Sequence, residues 1–159
     1  MTPIIERINE KKLVGIKLSI SYADYKIGEL WSSFMPRQKA ILNKLTNNFI
    51  SMAIYKADYF LSFHPTNKFE RWACVEVSAF QDVPDQLETF VLPSGLYAIF
   101  KYRGNSTEID GFYQRIFTDW LPNTPYELDA RPHMEILGEK YKNNDPLSEE
   151  DICIPIKQK

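Results

Sequence analysis

The chain repeats part of its own sequence, and this internal repeat restricts the fold more than any other feature. Three segments of the first half match three segments of the second half in the same chain order: 30–36 with 116–122, 51–59 with 133–141, and 73–77 with 152–156. The third match aligns the two cysteines of the chain, Cys74 and Cys153. Together the matches predict a duplicated unit, with repeats over about residues 1–80 and 88–159 of a single domain, 1–159.

Hydrophobic periodicity gives each unit the order strand, helix, strand, strand. Strands are predicted where apolar side chains cluster or alternate with polar ones, at 13–22, 49–55, 72–77, 95–102, 132–141 and 152–157. Apolar residues recur at helical spacing from Ile27 to Phe34, which predicts the first helix. A second helix, capped by Asn105 or Ser106, carries a broad apolar stripe as far as Trp120.

The strand pattern predicts an α+β fold in which an antiparallel sheet packs helices on one face and carries a ligand cleft on the other. Met134 and Ile136 are assigned to the helix-covered face, together with the isoleucines of 152–156. The cleft face is then predicted to carry nine side chains: His133, Glu135, Leu137, Ser51, Ala53, Tyr55, Trp72, Cys74 and Glu76.

Composition and charge narrow the classes of function. With 44% apolar and 14% aromatic residues, the chain can bury the core of one compact domain. The net charge of −2 and the lack of a basic run predict no direct binding to nucleic acid, so a role in DNA transactions would require a protein partner. There is no targeting segment and no run of about 20 apolar residues, which predicts a cytoplasmic protein without membrane association.

Glu135 is the candidate functional residue, because the repeat places Ala53 at the equivalent position. A carboxylate flanked by the aromatic rings of Tyr55 and Trp72 suits an organic cation, since each cation–π contact contributes about 0.5 to 2 kcal/mol. Two alternatives stay open at this point. A buried Glu135 without a partner would tend to hold a proton and suit general acid or base catalysis, whereas an exposed one would pair with a lysine.

Other chemistries find little support in the sequence. His64 and His133 lack the spacing of metal ligands, and no phosphate-binding or dinucleotide-binding motif occurs, so neither a metal nor a cofactor is predicted. His133 is instead a candidate ligand contact on the cleft face. Cys74 and Cys153 lie in apolar alternating runs and are interpreted as buried side chains rather than as a disulfide.

Five segments of the second half carry a family resemblance: 95–104, 120–122, 132–135, 145–146 and 151–157. In these segments the chain closely resembles the GyrI-like, or AraC-type effector-binding, domain family, and the first half resembles it more loosely. The resemblance implies a pseudo-twofold axis relating the two units and a ligand cleft between them. It also implies that Glu135 is the chief polar contact for hydrophobic, often cationic, small molecules.

The candidate ligand-binding residues are Glu135, Tyr55, Trp72, Leu137, His133, Ala53 and Tyr102. Many members of the family have a tyrosine two residues after the glutamate, where this chain has Leu137. Tyr55 is the expected source of the missing hydroxyl group. Tyr102 is included because the first predicted strand of the repeat aligns almost equally well in two registers.

Three functions are consistent with the resemblance. The leading hypothesis is a stand-alone, non-enzymatic protein that senses or sequesters hydrophobic cations and lacks the DNA-binding domain of the family's transcription regulators. The second is a hydrolase of electrophilic, cyclopropane-type compounds with Glu135 as the catalytic residue. The third is a protein-interaction module, as in the family's DNA gyrase inhibitor.

Overall fold

The computed structural model describes residues 1–159 and contains nine β-strands and two α-helices. The strands are β1 (Ile4–Ile8), β2 (Lys11–Ile20), β3 (Phe49–Ile54), β4 (Phe69–Val77), β5 (Glu88–Leu92), β6 (Gly95–Arg103), β7 (Tyr126–Leu128), β8 (His133–Leu137) and β9 (Glu149–Gln158). The helices are α1 (Ile27–Arg37) and α2 (Ile109–Arg115). A π-helical turn (Ile116–Trp120) and a 3₁₀ turn (Leu121–Asn123) extend α2, and further 3₁₀ turns lie at Gln38–Ala40 and Ser106–Glu108.

The α+β fold class is confirmed, and the elements of the repeated unit lie where hydrophobic periodicity predicted them. β2, β3, β4, β6, β8, β9 and both helices occupy the predicted parts of the chain, with their ends shifted. The side chain of Asn105 accepts a hydrogen bond from the backbone N–H of Thr107 and so caps the turn that leads into α2. β1, β5 and β7 are additional strands that the sequence pattern did not predict.

The sheet is antiparallel, with the strand order β1-β6-β9-β8-β3-β4-β2-β5 and with β7 paired to β9 outside this order. At its centre, β3 pairs with β8, and Met52 lies opposite Met134. These two methionines are also equivalent in the sequence repeat. The pseudo-twofold axis therefore passes between them and relates the strands β3-β4-β2-β5 to the strands β8-β9-β6-β1.

The edge strands are exchanged between the two halves of the sheet. β1 precedes β2 in the chain but pairs with β6, whereas β5 precedes β6 but pairs with β2. Residues 9–10 alone connect β1 to β2, and residues 93–94 alone connect β5 to β6. Because two connecting residues span only about 10 Å, the sheet must curve until these strand ends lie close together.

One face of the curved sheet packs against itself. Its core contains Met52, Trp72, Cys74, Met134 and Cys153, with no residue from a helix. The predicted assignment of faces was therefore wrong for this part of the sheet. The alternation along each strand was interpreted correctly, but it does not fix the register between strands, and a shift of one residue exchanges the faces.

The two helices pack on the opposite face and leave its centre uncovered. Leu30 and Phe34 of α1 pack on Val14 and Val75 of β2 and β4. The helical segment that begins with α2 contributes Ile116, which packs with residues of β6 and β9. Neither of these cores includes a buried side chain of β3 or β8. A cleft therefore lies over the central strands on the helix-bearing face, rather than on the face without helices as predicted.

Candidate functional site

The floor of the cleft is formed by side chains that β3, β4 and β8 direct to the same face. Ser51 lies opposite Glu135 in the pairing of β3 with β8, and Ala53 lies opposite both His133 of β8 and Arg71 of β4. Directly opposite residues of an antiparallel pair point to one side of the sheet. The register thus brings an arginine, a glutamate and a histidine together between α1 and α2.

Two connected compartments make up the cleft. We call the first, of about 420 Å³, the aromatic compartment, since it is lined by Tyr22, Tyr55, Tyr59, Phe60, Phe63 and Phe117. The second, of about 620 Å³, is the polar compartment, and its lining includes Asn47, Ser106, Glu139, Tyr141, Asn143 and Glu150. Five residues line both compartments and form the boundary between them: Tyr25, Ser51, Arg71, Ile109 and Glu135.

Arg71 and Glu135 form an ion pair at this boundary. Nη2 of Arg71 lies 3.2 Å from Oε1 of Glu135, and the two side chains are only 8% and 16% exposed. Arg71 also donates from Nε and Nη2 to Oγ of Ser51, at 3.0 and 2.9 Å. Burial alone would lower the pKa of Arg71, but Glu135 and nearby tyrosines raise it above its ordinary value. The guanidinium therefore keeps its charge in the cleft.

Tyr113 of α2 is the second donor to Glu135. Its hydroxyl group lies 2.9 Å from the same Oε1 atom that accepts from Arg71. Burial, and then the charge of Glu135, raise the pKa of Tyr113 well above its usual value, so this hydroxyl group remains a donor. Oε2 of Glu135 accepts no hydrogen bond and is not a fully buried atom. It is therefore available to a ligand in the cleft.

The aromatic compartment surrounds His133 with rings. The imidazole centroid lies 5.0 Å from that of Tyr55, edge to face, and 5.8 Å from that of Phe60, nearly parallel. The centroid of Phe117, in the π-helical turn after α2, lies 6.4 Å from that of the imidazole. Burial, and then the charge of Arg71, lower the pKa of His133 to about 3. The imidazole is therefore neutral near pH 7 and adds no positive charge to the compartment.

Two further polar groups in the cleft have unusual environments. The hydroxyl group of Tyr59 in the aromatic compartment and Oε1 of Glu150 in the polar compartment are buried without a hydrogen-bond partner. Burial, and then the charge of Glu135, raise the pKa of Glu150 to about 8. A buried polar atom without a partner costs about 1 to 3 kcal/mol, so both groups lie in environments that disfavour them in the folded protein.

The structure brings five of the seven predicted site residues to the cleft. Glu135, Tyr55, Ala53 and His133 line the aromatic compartment, and Leu137 lines the polar compartment.

The other two predicted residues lie elsewhere. Trp72 is opposite Met52 in the ladder and therefore belongs to the core on the other face of the sheet. Tyr102 packs against Phe112, and its hydroxyl group donates to the carbonyl of Asn105, outside both compartments. For Trp72 the register between strands, which the repeat did not fix, decides the face, whereas Tyr102 lies on the face of the cleft but is covered by α2.

The expected partners of Glu135 also require correction. Tyr55 does not supply the hydroxyl group that Leu137 lacks, because Tyr113 of α2 donates that hydrogen bond. Glu135 is not paired with a lysine at the surface, and it does not lack a partner, because Arg71 pairs with it. The sequence did not single out Arg71, which lies just before the predicted strand 72–77 and is one of three charged residues in β4. Tyr113 gave no signal either, because it lies in the apolar stripe of α2 beside residues of the core.

Neither helix is long and apolar enough to cross a membrane. The duplicated sheet, the two helices on one face and the cleft between them define an α+β domain with a receptor-like cavity.

Comparison with known proteins agrees with this description. The model of the GyrI-like small-molecule-binding domain family matches residues 1–157. The transcriptional regulator BrlR of Pseudomonas aeruginosa is 28% identical over 145 residues, which are 91% of this chain and 51% of BrlR. The chain thus spans about half the length of that relative. The chain belongs to the GyrI-like small-molecule-binding domain family.

Solved structures share the fold at low sequence identity. The structure of SAV2435 bound to tetraphenylphosphonium superposes with a TM-score of 0.72 and 16% identity, over 99% of this chain and 94% of that one. The C-terminal domain of EcmrR superposes with a TM-score of 0.75 and 13% identity, over 99% of this chain and 98% of that one.

Proposed function

We propose that this protein binds hydrophobic organic cations in the aromatic compartment and acts as a sensor or a sequestering protein for them. The observation that carries the proposal is the free Oε2 atom of Glu135, next to a wall of aromatic rings. A lipophilic cation is attracted both by a carboxylate oxygen and by the faces of aromatic rings, and each ring contributes about 0.5 to 2 kcal/mol depending on desolvation.

The charges of the aromatic compartment support a cationic ligand. Its charged lining residues are Arg71, Glu135 and Asp110. Arg71 and Glu135 pair with each other, so the carboxylate of Asp110 leaves an excess of one negative charge. His133 is neutral near pH 7 because its pKa is lowered to about 3. A ligand cation therefore enters a compartment whose net charge is opposite to its own.

The relatives support the same ligand class and a role in sensing. A protein of this fold, SAV2435, has been solved with tetraphenylphosphonium, a hydrophobic cation. BrlR, a transcriptional regulator, contains a region similar to this chain within about twice its length. A sensing role requires that ligand binding alters a contact with a protein partner or a further domain, whereas sequestration requires the cleft alone.

Isothermal titration calorimetry with tetraphenylphosphonium tests the proposal. We expect the wild-type protein to bind this cation and Glu135→Gln to bind it at least tenfold more weakly. The amide removes the negative charge next to the ligand, which at about 5 Å and an effective dielectric constant near 20 is worth roughly 3 kcal/mol. The glutamine oxygen can still accept from Arg71 and Tyr113, so the cleft keeps its hydrogen-bonded frame.

Glu76→Gln is the matched control. Glu76 is also a strand carboxylate with similar exposure, 19% against 16% for Glu135, and it is paired with Lys11 at 3.1 Å. It lies in neither compartment, so its substitution should leave the affinity unchanged. Equal affinities of the wild type and Glu135→Gln, with both proteins folded, would refute the role assigned to Glu135.

A further inference from the structure

Glu150 is a buried acid that the proposed cation site does not use. It lies near the start of β9, opposite Tyr102 of β6, and two residues before Ile152, which is opposite Glu135. Glu150 therefore points to the same face of the sheet as Glu135. It lines the polar compartment, is only 8% exposed, and its Oε1 atom has no hydrogen-bond partner.

No basic side chain of this chain pairs with Glu150. Arg71 is the basic residue that lines the polar compartment, and its hydrogen bonds go to Ser51 and Glu135. Buried carboxyl groups in proteins are normally hydrogen-bonded or paired with a cation. The carboxyl group of Glu150 thus has no partner within the protein, and its second oxygen, Oε2, is not fully buried and can meet a donor carried by a ligand in the polar compartment.

The other polar groups of the compartment suit the same kind of ligand. Glu139, Asn47 and Asn143 line it with further oxygen atoms, and Tyr141 adds an aromatic ring. An ammonium group donates up to three hydrogen bonds and accepts none. Carboxylate and amide oxygens are therefore better partners for it than they are for an anion.

We propose that the polar compartment is a second subsite, in which Glu150 binds the ammonium group of a ligand whose aromatic cation occupies the aromatic compartment. This inference rests on the proposed function and makes its ligand class more specific. Five residues, Ser51, Arg71 and Glu135 among them, border both compartments, so one molecule can pass over their boundary and occupy both. The ligand class is an elongated molecule with an aromatic cationic group at one end and a primary or secondary amine at the other.

Binding of the amine should release a proton from the protein. Burial and the charge of Glu135 raise the pKa of Glu150 to about 8, so this carboxyl group is largely protonated at pH 7. The titratable or charged groups around it are Tyr102, Tyr141, Glu135, Arg71, Asp151 and, beyond Tyr102, Glu108. When a ligand ammonium approaches, Glu150 ionises and its proton passes to the buffer, while the ammonium keeps its own protons.

A matched pair of synthetic phosphonium ions tests the inference by calorimetry: aminopentyl-triphenylphosphonium and pentyl-triphenylphosphonium. They differ only in the terminal ammonium group. We expect the amine to bind the wild type about tenfold more tightly than the alkyl compound, because its ammonium group forms a charged hydrogen bond with Glu150. Titrations in two buffers with different ionisation enthalpies should show release of nearly one proton for the amine and none for the alkyl compound.

Glu150→Gln should reduce the ratio of the two affinities to about one and abolish the proton release. Glu149→Gln is the matched control, since its side chain points to the opposite face and pairs with Lys140, and it should retain the ratio. Equal affinities of both compounds for the wild type, or an undiminished ratio in Glu150→Gln, would overturn the second subsite alone. Binding of neither compound would overturn the proposed function and this inference with it.

Discussion

Two donors hold the carboxylate of Glu135 by a single oxygen atom. Arg71 approaches Oε1 from β4, and Tyr113 approaches the same atom from α2. This arrangement fixes the orientation of the carboxylate and keeps Oε2 open to the cleft. In the proposed function Glu135 is thus oriented before a ligand arrives, which reduces the ordering that binding requires.

Tyr113→Phe tests this orientation at the residue scale. The ring remains as a wall of the aromatic compartment, but the hydrogen bond to Glu135 is lost, which contributes about 1 kcal/mol or more when the acceptor is charged. We expect a loss of roughly threefold to tenfold in affinity for tetraphenylphosphonium, measured by calorimetry. Tyr102→Phe removes a hydroxyl group that donates outside the cleft and should have no effect on this affinity. Wild-type affinity in Tyr113→Phe would contradict the proposed role of the hydroxyl group.

At this scale the sequence predicted the residue but not its partners. Glu135 could be found because the repeat offers Ala53 at the equivalent position. Arg71 and Trp72 are neighbours in β4, and only the register of β4 against β3 decides which of them enters the cleft. The repeat relates the two halves but carries no information on that register. Trp72 was therefore chosen where Arg71 is the residue that contacts Glu135.

The connection between β3 and β4 closes one side of the aromatic compartment. It carries Tyr59, Phe60 and Phe63, which line the compartment, and Leu61, which is 87% exposed. The centroid of Phe60 lies 5.8 Å from that of His133 and 5.9 Å from that of Phe117, so Phe60 links the floor of the cleft to the helical segment after α2. This connection contributes more aromatic rings to the cleft than either helix does.

Phe60→Ala tests the contribution of this connection. The side chain is 44% exposed, so its removal should cost little stability. Loss of one aromatic contact to a cation should weaken tetraphenylphosphonium binding by about threefold to tenfold, since such a contact is worth about 1 kcal/mol. Calorimetry of the variant would show this directly. Phe80→Ala, at a phenylalanine that is 37% exposed and outside the cleft, should bind as the wild type does, and a similar loss there would point to an indirect effect.

Hydrophobic periodicity predicted the strands and helices of the repeated strand-helix-strand-strand unit and missed the three strands outside it, β1, β5 and β7. β2, β3 and α1 carry clear runs of apolar side chains, because each packs into the buried cores of the sheet. β1 is mostly exposed and β7 has only three residues, so neither shows a pattern that distinguishes a strand from a loop. The aromatic residues of the connection between β3 and β4 lie in or beside turns and belong to no strand or helix. Their role depends on how the chain folds back over the sheet.

The whole molecule is a pseudo-symmetric sheet with an asymmetric cleft at its centre. Met52 and Met134 face each other near the axis, and the residues beside them differ: Ser51 corresponds to His133, and Ala53 to Glu135. The acidic group therefore occurs once, although the unit occurs twice. Glu150 adds a second acid on the same half of the sheet, in the polar compartment.

Stability should depend on pH through Glu150. Its pKa in the folded protein, about 8, lies above the ordinary value of 4.5, so the folded state binds the proton more tightly than the unfolded state does. The stabilisation that protonated Glu150 contributes is fully present below its ordinary pKa of 4.5 and is lost as the pH rises through its folded-state pKa of about 8. Between pH 6 and pH 9 we expect the free energy of unfolding to fall by on the order of 2 kcal/mol. Urea denaturation across this range measures it.

Glu150→Gln should largely remove this dependence, because the amide does not titrate. Glu149→Gln serves again as the control and should keep the slope of the wild type. A wild-type protein whose stability does not change between pH 6 and pH 9 would contradict the burial of Glu150 without a partner.

The measurement that tests the central claim most directly compares tetraphenylphosphonium with tetraphenylborate, an anion of nearly the same shape. The cleft contains both a guanidinium and carboxylates, and in the proposed function Glu135 and the aromatic rings determine the sign of the ligand's charge. The wild-type protein should bind the phosphonium at least tenfold more tightly than the borate, as expected from roughly 1.4 kcal/mol or more of charge preference. Equal affinities, or tighter binding of the borate, would show that Arg71 rather than Glu135 sets the charge preference of the cleft.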